Sequence, residues 1–158
     1  DVPLAVCPLY QTTGFGFLGL SHVLGATAVL LDEYDAQTTG NQLYADRARI
    51  DCAYDRFTEA DFAAIEARMN EYVDADLPVD WYTMDRTEAE ATLDPARTRI
   101  DLLPDSITEV RIVAIGDVDR TACAGTHVRS TGDIGSFSIT GRETKGSDEE
   151  RLSFVLGA

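Results

Sequence analysis

The chain has 158 residues, 44% of them hydrophobic and 26% charged, and a formal net charge of −15 from 28 acids against 13 bases. That composition describes a folded globular protein of single-domain size, and three cysteines, an odd and sparse set, exclude a disulfide framework. It also argues against ordinary nucleic-acid binding through a basic surface, which needs clustered Lys and Arg.

The bases are twelve Arg and the single Lys145, and the acids are spread along the chain rather than gathered in a tail. Such a surface suits a cationic partner or, the reading favoured here, a halophilic protein kept soluble in concentrated salt, where self-repulsion is screened. In that solvent, recognition of a nucleic acid rests on shape and local contacts. Reduced thiols place the chain in the cytoplasm.

Residues 2–31 contain no Asp, Glu, Lys or Arg. Gly, Thr, Gln and Pro interrupt this run too often for a membrane span. It also lacks the basic start and cleavage pattern of a signal peptide, so no membrane association is expected. The first residue, Asp1 rather than Met, reads as a trimmed start. Leu4 to Tyr10 reads as a buried strand and Leu18 to Glu33 as a largely buried helix. Between them Gly14, Gly16 and Gly19 match G-x-G-x-x-G, with Asp32 and Asp35 at a loosely suitable distance. Gln11-Thr12-Thr13 separates those glycines from the strand, and repeating strand–helix crossovers are missing. A dinucleotide-binding oxidoreductase is therefore the lesser alternative.

Gln37 to Asn41 reads as a turn, and residues 42–54 alternate as a strand with one wet face. Thr58 with Asp61 predicts a capping box opening a helix through Val73, with Phe62, Ile65, Met69 and Tyr72 on its core side. Val79 to Met84 is a short strand. Thr87 with Glu90 predicts the cap of a helix over Glu88 to Leu93, stopped by Asp94-Pro95. Glu109 to Ile115, Ile134 to Thr140 and Leu152 to Leu156 read as strands, with hairpin turns at Gly132-Asp133, Gly141-Arg142 and Gly146-Ser147. Strands outnumber helices. The expected architecture is α+β, a two-layer, mainly antiparallel sheet with helices packed on one face, forming one domain over residues 1–158.

The chemistry concentrates at Cys123-Ala124-Gly125-Thr126-His127. A Cys and a His four apart share a face if the segment makes one helical turn, and a thiolate with an imidazole suits tetrahedral zinc. Gly125, Gly132 and Gly135 permit tight turns and a close approach of substrate to backbone. His22, the only other histidine, lies in the uncharged helix, where a polar ring needs a partner or a metal. Two His and one Cys with an open fourth position form a catalytic arrangement in which water is activated.

Cys123-Ala-Gly-Thr-His127-Val, followed by Thr131-Gly-Asp-Ile-Gly135 and a Phe-containing strand, resembles the second zinc motif of the alanyl-tRNA editing domain. That module occurs in alanyl-tRNA synthetase and in free-standing AlaX-type editing proteins, and a related domain edits in threonyl-tRNA synthetase. The resemblance covers most of the chain from His22 onward, including Asp80-Trp-Tyr, Arg86 to Ala91, Arg97 to Pro104 and Arg142 to Gly146. The length is that of the short form. What it implies is a zinc-dependent trans-editing hydrolase that deacylates tRNA(Ala) mischarged with Ser or Gly. His22, Cys123 and His127 would be the zinc ligands, the reacting water would be bound to zinc with no side chain assigned, and no protein partner is inferred. Thr39 would sense the seryl hydroxyl, and Gly125 and Thr126 would lie close to the substrate. The resemblance departs at Leu18, where the family carries its first His. The alternative it leaves is a catalytically impaired relative that binds tRNA or zinc structurally.

Overall fold

The structure, a computed structural model, describes residues 37–44, 47–95, 98 and 100–157. The expected strand at Leu4 to Tyr10, the helix at Leu18 to Glu33 and the glycine motif at 14–19 lie outside the described residues. The remainder is α+β, as expected, and every pairing between described strands is antiparallel. The strands divide into two sheets: β1 (Gln37–Leu43), β2 (Ala48–Ala53), β7 (Glu149–Gly157) and β6 (Ser136–Thr144) in that order, and β3 (Val79–Asp85), β4 (Glu109–Ile115) and β5 (Asp119–Ala122).

The stretch expected to be one strand after a turn is a hairpin. β1 pairs with β2 from Gln37↔Ala53 to Leu43↔Ala48, and the chain reverses between them, with Tyr44 N–H donating to Arg47 O at 2.8 Å. The expected turn at Thr39-Gly40 is a bulge inside β1, because the register shifts between Thr38 and Gly40 and leaves Thr39 unpaired. The expected alternation holds in β2, whose Ala48, Ile50 and Cys52 are buried. Gly146-Ser147 does turn β6 into β7, closed by Lys145 N–H to Glu149 O at 2.8 Å. Gly141 instead follows a register shift within β6, and Gly132-Asp133 lies in a 3-10 turn over Thr131–Ile134.

The helix α1 (Glu59–Asp74) opens on the predicted capping box: Thr58 Oγ1 accepts from Asp61 N–H, and Asp61 Oδ2 accepts from Thr58 N–H. Its Ile65 and Met69 pack against Ile50, Phe137, Leu152 and Phe154 of the four-stranded sheet. Removing either side chain to Ala is worth about 2–5 kcal/mol. The helix also covers the sheet's edge. Asn70 bonds both the N–H and the C=O of Phe137 at 2.9 Å, and Glu66 Oε1 accepts from Ile139 N–H at 2.6 Å. Backbone groups that an edge strand leaves unpaired are thereby satisfied.

In the second sheet, β3 runs directly into the short helix α2 (Arg86–Thr92). The cap is therefore Asp85 rather than Thr87, its Oδ1 accepting from Thr87 N–H at 2.8 Å and Glu88 N–H at 3.3 Å. Ala89, Leu93, Ile100, Leu103, Val110 and Ile112 form the core on this face. β5, which pairs with β4 through Ile115↔Asp119, had no apolar periodicity to announce it. A third cluster, Val73, Val128 and Ile134 with Val79 and Leu156, draws residues of both sheets together. Around it Thr131 Oγ1 accepts from Leu77 N–H at 2.7 Å and donates to Tyr72 O, and Val79 N–H reaches Arg129 O at 2.9 Å. These contacts anchor the far end of the loop that leaves β5.

Candidate functional site

That loop carries Cys123 to His127. The segment makes no helical turn; it is irregular, and its shape comes from its two anchored ends. At the first end, Cys123 prolongs the β4–β5 ladder, its N–H donating to Arg111 O at 3.0 Å. At the other, Val128 is buried in the third cluster. The loop nonetheless brings the predicted pair together: His127 Nε2 stands 3.4 Å from Cys123 Sγ. Two donors on one tetrahedral zinc, at ~2.3 Å for sulfur and ~2.0–2.1 Å for nitrogen, would stand about 3.6 Å apart. The pair fits that geometry. A second observation agrees with it: Gly125 N–H points at the same sulfur, at 3.4 Å, an orientation that favours thiolate over thiol.

Burial, and after it the charge of Arg111, lowers the His127 pKa from 6.5 to about 4. The imidazole is therefore neutral at neutral pH and retains a lone pair for a ligand. Cys52 contrasts with Cys123. It is fully buried in the four-stranded sheet, and burial together with the carboxylates of Asp51, Glu150 and Glu149 pushes its thiol up to about 12. Of the two described cysteines, Cys123 is the one that stands beside a histidine ring.

The residue missed in the sequence is Arg111. It interrupts the apolar run of β4, and its Nη1 donates to Cys123 O at 2.8 Å and to Gly125 O at 2.7 Å. One guanidinium thus clamps two carbonyls of the loop, and the bonds are charge-assisted. Its Cζ lies 5.1 Å from the centroid of the Trp81 ring. The available signal was a cation inside an otherwise apolar strand.

Gly125 and Thr126 belong to the loop, with Thr126 exposed. Thr39 sits in the bulge of β1 on the other sheet, where its hydroxyl donates to Glu149 Oε1 at 2.7 Å. His22 and Leu18 lie outside the described residues. Among the described residues no three His, Cys, Asp or Glu side chains converge as a metal cage. A polar cavity of about 430 Å³, lined by residues including Asp94, Asp117 and Asp119, lies at the β4–β5 turn; none of the residues from 123 to 127 lines it. No described helix is long and apolar enough to cross a membrane.

Residues 110–153 match the family model of the threonyl and alanyl tRNA synthetase second additional domain. The chain is 36% identical over 128 residues to the alanyl-tRNA editing protein AlaX-M of Methanosarcina acetivorans, covering 81% of this chain and 52% of that protein. Against the AlaX-M protein of Methanosarcina barkeri the identity is 38% over 128 residues, covering 81% of this chain and 53% of the other. The alanine–tRNA ligase of Halorubrum lacusprofundi is 32% identical over 141 residues, 87% of this chain and 15% of the ligase. The chain spans about half the length of the AlaX-M relatives it matches.

Proposed function

Because this chain carries the second additional domain of threonyl and alanyl tRNA synthetases and is a relative of the alanyl-tRNA editing proteins, we propose that it is an editing hydrolase acting in trans. Its substrate is tRNA(Ala) mischarged with Ser or Gly, and its reaction is hydrolysis of the ester joining amino acid to tRNA. Such an activity is needed because an alanine-sized pocket rejects neither the smaller Gly nor the hydroxyl-bearing Ser strongly. The observation that carries the reading is the approach of Cys123 Sγ to His127 Nε2, 3.4 Å apart on one loop.

Cys123 and His127 would hold zinc together with His22. A zinc ion so held supplies a Lewis acid and a bound water of lowered pKa. The chain's own residues do the rest. The neutral His127 offers its ring nitrogen without first losing a proton. The Gly125 N–H stabilises the sulfur of Cys123, and Arg111 holds the carbonyls of 123 and 125 so that sulfur and ring stay convergent. Gly125, without a side chain, lets the aminoacyl group approach the backbone. Thr39 donates its only hydroxyl proton to Glu149, which leaves Oγ1 as an acceptor for a seryl hydroxyl. Glycine makes no such bond, so Ser is the better substrate of the two.

The test is release of serine from Ser-charged tRNA(Ala) by zinc-loaded protein in concentrated salt, beside Ala-charged tRNA(Ala). Serine is released and alanine retained. Purified protein holds stoichiometric zinc, and Cys123→Ala loses it. Ser-charged tRNA(Ala) that survives the zinc-loaded protein overturns the catalytic reading and leaves the impaired relative, for which Leu18 argues. Repeating the assay on Leu18→His then measures what that position costs.

A further inference from the structure

Trp81 is the chain's single tryptophan. It stands on β3 with 63% of its surface exposed, the most exposed large hydrophobic side chain among the described residues. Thr83, the next residue on the same face of the strand, is exposed and polar, and the exposed Tyr82 stands on the opposite face, paired with Ile112. This is one isolated ring rather than a contiguous apolar patch of the kind that docks a protein. The pairing Trp81↔Val113 and Thr83↔Arg111 sets Trp81 and Arg111 on one face of the sheet, and the guanidinium lies 5.1 Å from the ring centroid. The same guanidinium is bonded to Cys123 O and Gly125 O. A single cation therefore ties an exposed aromatic surface to the loop that carries the Cys–His pair.

We infer that Trp81, braced by Arg111, is a stacking platform for one unpaired nucleobase at the 3′ end of an RNA. A planar π-surface next to a fixed guanidinium is the chemistry that receives a base irrespective of its sequence. It also suits a chain of net charge −15, which gains little from phosphate contacts and must bind through stacking. The inference deepens the editing reading, since an ester carried on a terminal nucleotide reaches the loop only if that nucleotide is held beside it. It rests on that reading for the position of the base but not for the stack itself.

The stack is measured without catalysis. A single-stranded RNA hexamer ending in adenosine is titrated into the intact chain, and the emission of Trp81, the sole indole, is followed. The same RNA, labelled at its 5′ end, is titrated by anisotropy into Trp81→Ala and Trp81→Phe. The hexamer quenches the indole. Its affinity falls about tenfold in Trp81→Ala and largely returns in Trp81→Phe, which keeps a ring. Raising the salt weakens binding only slightly. Hexamer bound equally by Trp81→Ala, hexamer bound without quenching, a blunt RNA duplex that quenches as well as the single strand, or no binding at all each overturns the platform. If quenching and the Trp81→Ala loss persist while mischarged tRNA is not hydrolysed, the editing reading fails and the platform stands as an RNA-end binder.

Discussion

Arg111→Met removes the clamp on the loop and keeps the side chain's bulk. Arg111 makes two charge-assisted bonds, at 2.8 Å to Cys123 O and 2.7 Å to Gly125 O. Hydrogen bonds to a charged group contribute ~1.5–3 kcal/mol each, and partly buried carbonyls recover some of that from water, so the net loss is about 3 kcal/mol. For a domain of this size that is roughly 6–12 °C in Tm. The larger effect falls on the Cys–His pair. With its carbonyls released, the loop no longer holds sulfur and ring together, and zinc affinity in a chelator competition drops by about 10–100-fold, the usual penalty for losing a partner that orients a ligand. Lysine at 111 keeps the positive charge and three N–H donors without the rigid guanidinium plane and recovers part of both losses. The ring of His127 reports independently. Its pKa rises from about 4 toward, but not to, its ordinary value, because burial, the larger cause, remains when the charge of Arg111 is gone. With only two histidines in the chain, proton NMR reads that titration directly on the metal-free protein. An Arg111→Met variant with unaltered melting, zinc affinity and His127 titration would refute the positioning role.

Other outcomes follow from the same contacts. Gly135 ends the 3-10 turn at φ 83° and ψ −91°, a conformation that disfavours any Cβ, so Gly135→Ala should cost about 1–3 kcal/mol in urea unfolding; an unchanged midpoint would deny the strain. Asp51 accepts from Arg151 at 2.6 and 2.8 Å across the β2–β7 pair, and that bond holds its pKa below the ordinary carboxylate value. The stability this supplies is complete above the unfolded pKa of ~3.9 and is lost as pH falls through the lower folded one. The gap in stability between the wild type and Asp51→Asn should therefore narrow below about pH 4, and a gap that widens on acidification contradicts the assignment. Iodoacetamide at pH 8 should leave Cys52 unmodified until urea opens the sheet, since its thiol titrates near 12; peptide mapping that finds rapid native alkylation of Cys52 excludes the buried placement.

How far each feature was legible depended on the range of the interactions behind it. The Thr58–Asp61 cap and the three-to-four spacing of Phe62, Ile65, Met69 and Tyr72 are local, and α1 formed where they point. The apolar run of β4 was equally plain. The cap of α2 moved from Thr87 to Asp85 because β3 and the helix share a boundary, which no propensity marks. Thr39-Gly40, chemically a turn, became a strand bulge because the pairing of β1 with β2 outweighed it.

For the site, spacing and scarcity alone singled out Cys123 and His127, and residue chemistry alone made them the candidate metal pair. The tertiary structure decided how they meet. They meet across an irregular loop rather than a helical turn, pinned by the β4–β5 ladder at one end and the Val128 cluster at the other. It also decided that Arg111, twelve residues before Cys123, would brace that loop and face Trp81. A residue's type, its charge and its short-range periodicity are written in the chain. Which distant carbonyl a guanidinium reaches depends on the register of strands brought together only when the core is buried.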